Sequence, residues 1–165
     1  MITDNDIIYM MKKLTFSILI VSILAMKDNS VTINCLAFQL SLARKKIQKW
    51  YEQYLKSLGL NTSYVYVMEV LKDFGPSTLT TIAENLELER ATVSNLLSRM
   101  ERDDFIKRLP GKERRSMEVH LTAKGEEILD EALNALRQAD KSLNIELDGN
   151  LEIIKQAVKL LNKTL

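Results

Sequence analysis

Residues 108–116 read RLPGKERRS, so that four cations, Arg108, Lys112, Arg114 and Arg115, crowd a Pro-Gly turn beside one anion, Glu113. Cations this close repel one another unless they share an anion, and phosphate is an anion that arginine forks match well. A solvated loop is the simpler explanation for such a cluster taken alone, and its neighbours decide the matter. Just upstream, Arg90, Thr92, Ser94, Asn95, Ser98 and Arg99 fall on the side of a helix opposite Val93, Leu96, Leu97 and Met100. Hydroxyls and a carboxamide mixed with arginine suit base edges and phosphate oxygens. Residues 90–115 hold eight cations against four anions, whereas the whole chain carries a formal net charge of +1. Any anion-binding surface is therefore local, not a uniform basic coat.

Other chemistry is poorly supplied. The single histidine, His120, has no partner residues at metal-ligand spacing and is given no role; it reads as an outward residue of a strand. There is no glycine-rich phosphate loop and no nucleophile elbow. No enzyme activity, metal or cofactor is expected. The one cysteine, Cys35, cannot form an internal disulfide, so nothing marks an oxidising compartment. It follows Asn34 at the start of a predicted helix, where the helix dipole favours thiolate; a buried structural cysteine is the alternative.

The elements that must position these groups are mostly helical. Glycine (5) and proline (2) are scarce, and 165 residues with 46% hydrophobic and 27% charged content suit one globular domain, with or without an appendage. Apolar residues recurring from Leu36 to Leu58 predict one long helix over about 32–58, ended by Gly59. A second runs from about Thr62 to the Gly75-Pro76 stop. Thr78 caps a short helix, a turn follows at 87–89, and the polar-faced helix spans about 90–103. FIKRL (105–109) and MEVHL (117–121) flank the basic turn as a β-hairpin, with Val119 and Leu121 inward and Glu118 and His120 outward. Thr122 caps a helix to about Leu143, and DGN (148–150) precedes a last helix to about 163.

Two short helices, a tight turn and a basic hairpin make a winged helix-turn-helix, within a mainly α fold whose long N- and C-terminal helices carry more apolar surface than one lobe can bury. Ala83 and Val93, ten residues apart, stand where the two short helices must cross. The stretch LTTIAENLELERATVSNLLSRMERDDFIKRLPGKERRSMEVHLTAKG resembles the multiple-antibiotic-resistance regulator (MarR) family. Ile82-Ala83, Thr92-Val93-Ser94, Met100-Glu101, Glu113-Arg114-Arg115 and Leu121 to Gly125 carry the likeness, which extends over roughly 32–165. Four positions depart from the family pattern: Glu87 and Asp104 stand where glycine is usual, Glu89 replaces a Ser or Asp cap, and the wing acid is Glu113, not Asp. A non-glycine residue at positive φ would cost roughly 1 kcal/mol.

The resemblance implies a cytoplasmic homodimeric transcriptional regulator on a near-palindromic operator in double-stranded DNA, probed by the polar helix in the major groove and by the wing. It implies DNA contacts from Arg90, Thr92, Ser94, Asn95, Ser98, Arg99, Arg108, Lys112, Arg114 and Arg115, with Glu113 supporting the wing arginines and Arg115 at the tip. It further implies repression relieved by a small aromatic or lipophilic inducer, with Trp50, Tyr51, Tyr54 and Tyr64 as candidate lining, or by oxidation of Cys35 as in the hydroperoxide-responding branch. Aromatics at this spacing also read as core.

Residues 1–25 do not fit that picture. MKKLTFSILIVSILAM (11–26) joins two lysines to an apolar run shorter than the roughly 20 residues of a membrane span. Translation starting at Met26, a membrane-associated helix and an export signal compete as explanations. The expected organisation is a hydrophobic extension (1–25), an N-terminal dimerisation helix (26–61), a DNA-binding lobe (62–122) and C-terminal dimerisation helices (123–165). The alternative function is a membrane-tethered interaction protein that keeps the winged fold without binding DNA.

Overall fold

The computed structural model describes residues 31–111 and 116–164. The apolar N-terminal segment lies outside the described residues, as do Lys112, Glu113, Arg114 and Arg115. Among the described residues no helix is long and apolar enough to cross a membrane. The chain divides into two compact units, Met1–Lys46 and Ile47–Leu165, the division falling inside the first long helix.

In the first unit a single helical turn, Val31–Asn34, precedes α1 (Leu36–Leu55). The unbroken helix expected from Thr32 is instead interrupted at Cys35. Val31, Thr32 and Ile33 are consecutive β-branched residues, which lose side-chain freedom in a helix and weaken its first turn. Cys35 is exposed and unpaired, and its carbonyl accepts from the Gln39 amide at 3.1 Å.

The second unit carries the winged lobe. α1 ends in a 3-10 turn, Lys56–Leu58, and Gly59 takes the left-handed conformation (φ 67°) that turns the chain. The Asn61 side chain caps α2 (Thr62–Phe74). Thr78 caps α3 (Leu79–Asn85) by accepting from the Thr81 amide. α4 (Arg90–Arg102), strands β2 (Ile106–Pro110) and β3 (Met117–Leu121), α5 (Ala123–Glu146) and α6 (Leu151–Thr164) follow. One apolar cluster joins α2 (Val65, Met68), α3 (Ile82, Ala83), α4 (Val93, Leu97, Met100), the strands (Ile106, Val119) and α5 (Leu129, Ala132). Fully burying each large aliphatic of this set contributes about 1.5–3 kcal/mol, an upper figure for a chain that is already partly compact when unfolded.

One strand went unforeseen. Ser77–Thr78 forms β1, which pairs antiparallel with β3 so that the sheet runs β1-β3-β2. Two residues are too few to show period-2 alternation. β3 is therefore central; Glu118 and His120 lie on the sheet face opposite the buried Val119, as expected, but are only about a quarter exposed, and their side chains approach to 3.8 Å.

Three later helices end as α1 does at Gly59, where the Leu60 amide donates to the Leu55 carbonyl (3.3 Å) and the Gly59 amide to that of Lys56 (3.1 Å). After α3, the Leu88 amide donates to the Ala83 carbonyl (2.9 Å) and the Glu87 amide to Glu84 (3.3 Å). After α4, Phe105 donates to Met100 (2.9 Å) and Asp104 to Glu101 (3.1 Å). After α5, Gly149 donates to Asn144 (2.8 Å) and Asp148 to Ile145 (3.1 Å). These paired bonds define Schellman caps, whose pivot residue must adopt positive φ. Glu87 (φ 52°), Asp104 (φ 62°) and Asp148 (φ 50°) do so without being glycine.

The segment after α4 is held from several sides. Tyr64 packs edge-on against Phe105, ring centroids 5.8 Å apart, and its hydroxyl donates to Asp103 Oδ2 at 2.9 Å. Thr122 Oγ1 donates to the Asp104 carbonyl (2.7 Å), and Lys124 Nζ donates to that of Asp103 (2.7 Å) while lying over the Phe105 ring. A Cβ on Gly125 would stand 2.2 Å from the Phe105 carbonyl oxygen, so α5 reaches this close only with glycine there. The Tyr64 hydroxyl, followed by Arg102, holds the Asp103 carboxyl below the usual carboxylate range.

Glu87→Gly relieves the strained pivot, offset by greater freedom of the unfolded chain, and should raise stability by about 0.5–1 kcal/mol. Gly125→Ala should lower it by about 1–3 kcal/mol through overpacking. Urea unfolding checks both, and a destabilised Glu87→Gly would mean the side chain stabilises that turn. Because the folded-state value of Asp103 is depressed, its contribution is full above the unfolded carboxylate value and is lost as pH falls through the folded one. The Tm difference between the protein and Asp103→Asn should be constant near neutrality and shrink from about pH 4 downward. A difference independent of pH would show that the charge of Asp103 contributes nothing.

Candidate nucleic-acid interface

α4 separates its residues cleanly. Val93, Leu97 and Met100 are fully buried and Leu96 nearly so, which fixes the opposite face outward. On that face Arg90, Thr92, Asn95, Ser98 and Arg99 are exposed, and Ser94 is half-buried. Among the described residues the Thr92 hydroxyl and the Asn95 carboxamide are engaged by no hydrogen bond, and neither Arg90 nor Arg99 sits in an ion pair. Arg99 Nε does reach the Asn95 carbonyl at 3.4 Å, laying its side chain along the helix. The N-cap Glu89 makes no side-chain cap bond, as its type suggested. The first-turn amides of its helix therefore receive no side-chain cap, although the Glu89 carboxylate stands at the positive dipole end.

The wing stem stands beside this face. β2 and β3 pair from Ile106↔Leu121 to Pro110↔Met117, and the Gly111 amide donates to the Ser116 carbonyl at 2.9 Å, extending the ladder one step. Ile106 and Arg108 share a strand face, since side chains alternate. Ile106 is buried in the core, and Arg108 is thereby directed over α4. Its Nη1 lies 3.4 Å from Glu101 Oε2 and its Nη2 donates to Ser98 Oγ at 3.2 Å. Ser98 in turn donates to the Ser94 carbonyl at 2.9 Å. Of the residues singled out from sequence, Arg108 and Ser98 are thus tied to each other, while Thr92, Asn95, Arg90 and Arg99 face solvent. Glu101 was not singled out as a site residue. Its sequence signals were its place in the Met100-Glu101 element of the resemblance and its charge opposite to Arg108, and the meeting of the two residues depends on how the strand crosses the helix.

The aromatic group is divided. Trp50 Nε1 donates to the Ala139 carbonyl at 3.1 Å and stacks obliquely near Tyr54, ring centroids 6.2 Å apart. The Tyr51 hydroxyl donates to Asp140, which also receives Lys155. Burial, and then Asp140, push the Tyr51 phenol up, so it stays a protonated donor. Tyr51 lines a cleft of about 340 Å³ with Tyr66, Leu133, Leu136, Arg137 and Lys155. Tyr64 is elsewhere, buried at the end of α4. Tyr66 and Lys155 carried no sequence signal, because a contact such as Tyr51 to Asp140 spans 89 positions.

Comparison with known proteins agrees with this geometry. The MarR family model matches residues 60–116. The HTH-type transcriptional regulator MgrA of Staphylococcus aureus is 30% identical over 132 residues, covering 79% of this chain and 87% of its own length. The solved organohalide-sensing regulator RdhR-CbdbA1625 superposes with a TM-score of 0.71 at 24% identity, covering 83% of both chains. Overoxidized AbfR bound to DNA gives 0.58 at 26% identity, covering 76% of this chain and 91% of its own. With its winged helix-turn-helix and that extent of likeness to MgrA, the chain belongs to the MarR family of transcriptional regulators.

Proposed function

We propose that the chain is a cytoplasmic, two-fold symmetric repressor that reads a near-palindromic operator through α4 and the wing. The observation that carries this reading is the outward face of α4, where Thr92 and Asn95 are exposed and unengaged among the described residues, with Arg90 and Arg99 nearby. Thr92, Ser94, Asn95 and Ser98 read bases; Arg90, Arg99, Lys112, Arg114 and Arg115 meet phosphates or the adjacent groove, with Glu113 steadying a wing arginine. The exposed apolar residues of α6, among them Ile153, Val158 and Leu160, are covered in the dimer, as are Leu36, Phe38 and Leu40 of α1.

Release follows from a small ligand or from thiol oxidation. A 2,4-dichlorophenol-bound form of the organohalide-sensing regulator supports the first, and the Tyr51 cleft, with the rings of Tyr51 and Tyr66 and leucine walls, suits an aromatic guest. For the second, Cys35 is the exposed thiol; AbfR, a regulator of this fold, has been solved on DNA in both reduced and overoxidized forms, so oxidation occurs in such a protein and its effect on release is what the Cys35 variant tests.

The test is fluorescence anisotropy with duplex from the chain's own upstream region, against random competitor, at two salt concentrations. Tight and salt-steep binding is expected. Asn95→Ala should lose about 1–3 kcal/mol on the operator alone. Arg115→Ala should weaken every duplex and flatten the salt slope by about 0.9. Absence of binding even at low salt would favour the tethered interaction protein. Sedimentation as a monomer would sink the dimer. Full peroxide-induced release by Cys35→Ser would remove the thiol branch.

A further inference from the structure

Arg108 differs from the exposed arginines of α4. Its guanidinium meets Glu101 at 3.4 Å and Ser98 at 3.2 Å, and its side chain is only 30% exposed. Ser98 spends its own hydrogen on the Ser94 carbonyl, so a chain of contacts runs Glu101–Arg108–Ser98–Ser94 along the flank of α4. A cation contributes sequence-independent affinity when it neutralises a phosphate and releases condensed counterions. A guanidinium already facing a carboxylate releases few. That carboxylate also stands where an approaching phosphate meets like charge.

We infer that Glu101 is a specificity-determining residue, which withholds Arg108 from phosphate and commits it to fixing the wing strand and Ser98 on α4. The inference rests on the DNA-binding reading above. In this arrangement Arg108 supplies register and little affinity, and Glu101 keeps binding to arbitrary DNA weak. Burial of Ile106, two residues before Arg108 on the same strand face, anchors the strand so that the guanidinium reaches α4 in any case. Removing the carboxylate therefore frees a cation already positioned beside the recognition face.

The experiment is a double-mutant cycle read by anisotropy on a random-sequence duplex and on the upstream duplex, across a salt series. Glu101→Gln keeps the shape of the side chain and removes its charge. It should tighten random-duplex binding by about three- to tenfold at low salt and steepen the slope by about 0.9, while the preference for the upstream duplex falls. Arg108→Ala in the native background should leave the slope on random duplex unchanged. Added to Arg108→Ala, Glu101→Gln should have little effect on random duplex. If Arg108→Ala alone flattens the slope by about 0.9, Arg108 already contacts phosphate and the inference is wrong. If Glu101→Gln tightens binding equally with or without Arg108, the carboxylate acts on DNA directly, which also overturns it. If the native protein binds neither duplex at low salt, the DNA-binding reading itself falls, a result distinct from native binding with inert variants. Thermal melts of all four proteins confirm that each is folded.

Discussion

The lobe depends on how the chain leaves α4. Within three residues, Asp103 to Phe105, the recognition helix must stop, reverse and start a strand that packs back on it. The Schellman bonds to Met100 and Glu101 stop it, and Phe105 enters the core as the apolar residue such a cap favours. α2 contributes Tyr64 to this point, and α5 contributes Lys124 and the bare backbone of Gly125 with the Thr122 cap before it. Because these contacts arrive from separate elements, a shift of α2 or α5 moves the end of α4. In such a network the energies are not additive, since each partner is oriented by the others.

That anchoring explains how a nearly neutral chain can present a local basic surface. Charges that would otherwise repel across α4 and the wing are distributed between two states. Arg102 lies against Asp103 and Arg108 against Glu101, whereas Arg90 and Arg99 are in no ion pair among the described residues. Exposed pairs such as these contribute little to stability, typically well under 1 kcal/mol. Their importance lies in which cations remain available and where, which is a matter of recognition and encounter more than of folding.

The non-glycine pivots Glu87, Asp104 and Asp148 show the opposite balance, with local preference overruled by context. Each left-handed residue costs about 1 kcal/mol or more in isolation. Each is held by two backbone bonds of its cap, and Asp104 additionally receives Thr122 on its carbonyl. A cost of this size is a noticeable fraction of the few kcal/mol by which a domain is stable, yet smaller than the burial of one core leucine.

Sequence alone determined the helices except for the break at Cys35, the caps at Thr78 and Thr122, the inward set Val93, Leu96, Leu97 and Met100, and the two strands of the hairpin. These follow from periodicity and from bonds between residues three or four apart, which any window of the chain contains. The family resemblance also marked Glu87 and Asp104 as glycine positions filled by other residues. Tertiary structure decided that Ser77 and Thr78 form a third strand, that Glu118 and His120 are only about a quarter exposed, that Tyr64 belongs to the end of α4, and that Arg108 is held by Glu101. It alone brought Tyr51 to Asp140. Those outcomes depend on which surfaces meet after the core has closed, and side chains far apart in the chain carry no local trace of the partner that packing will give them.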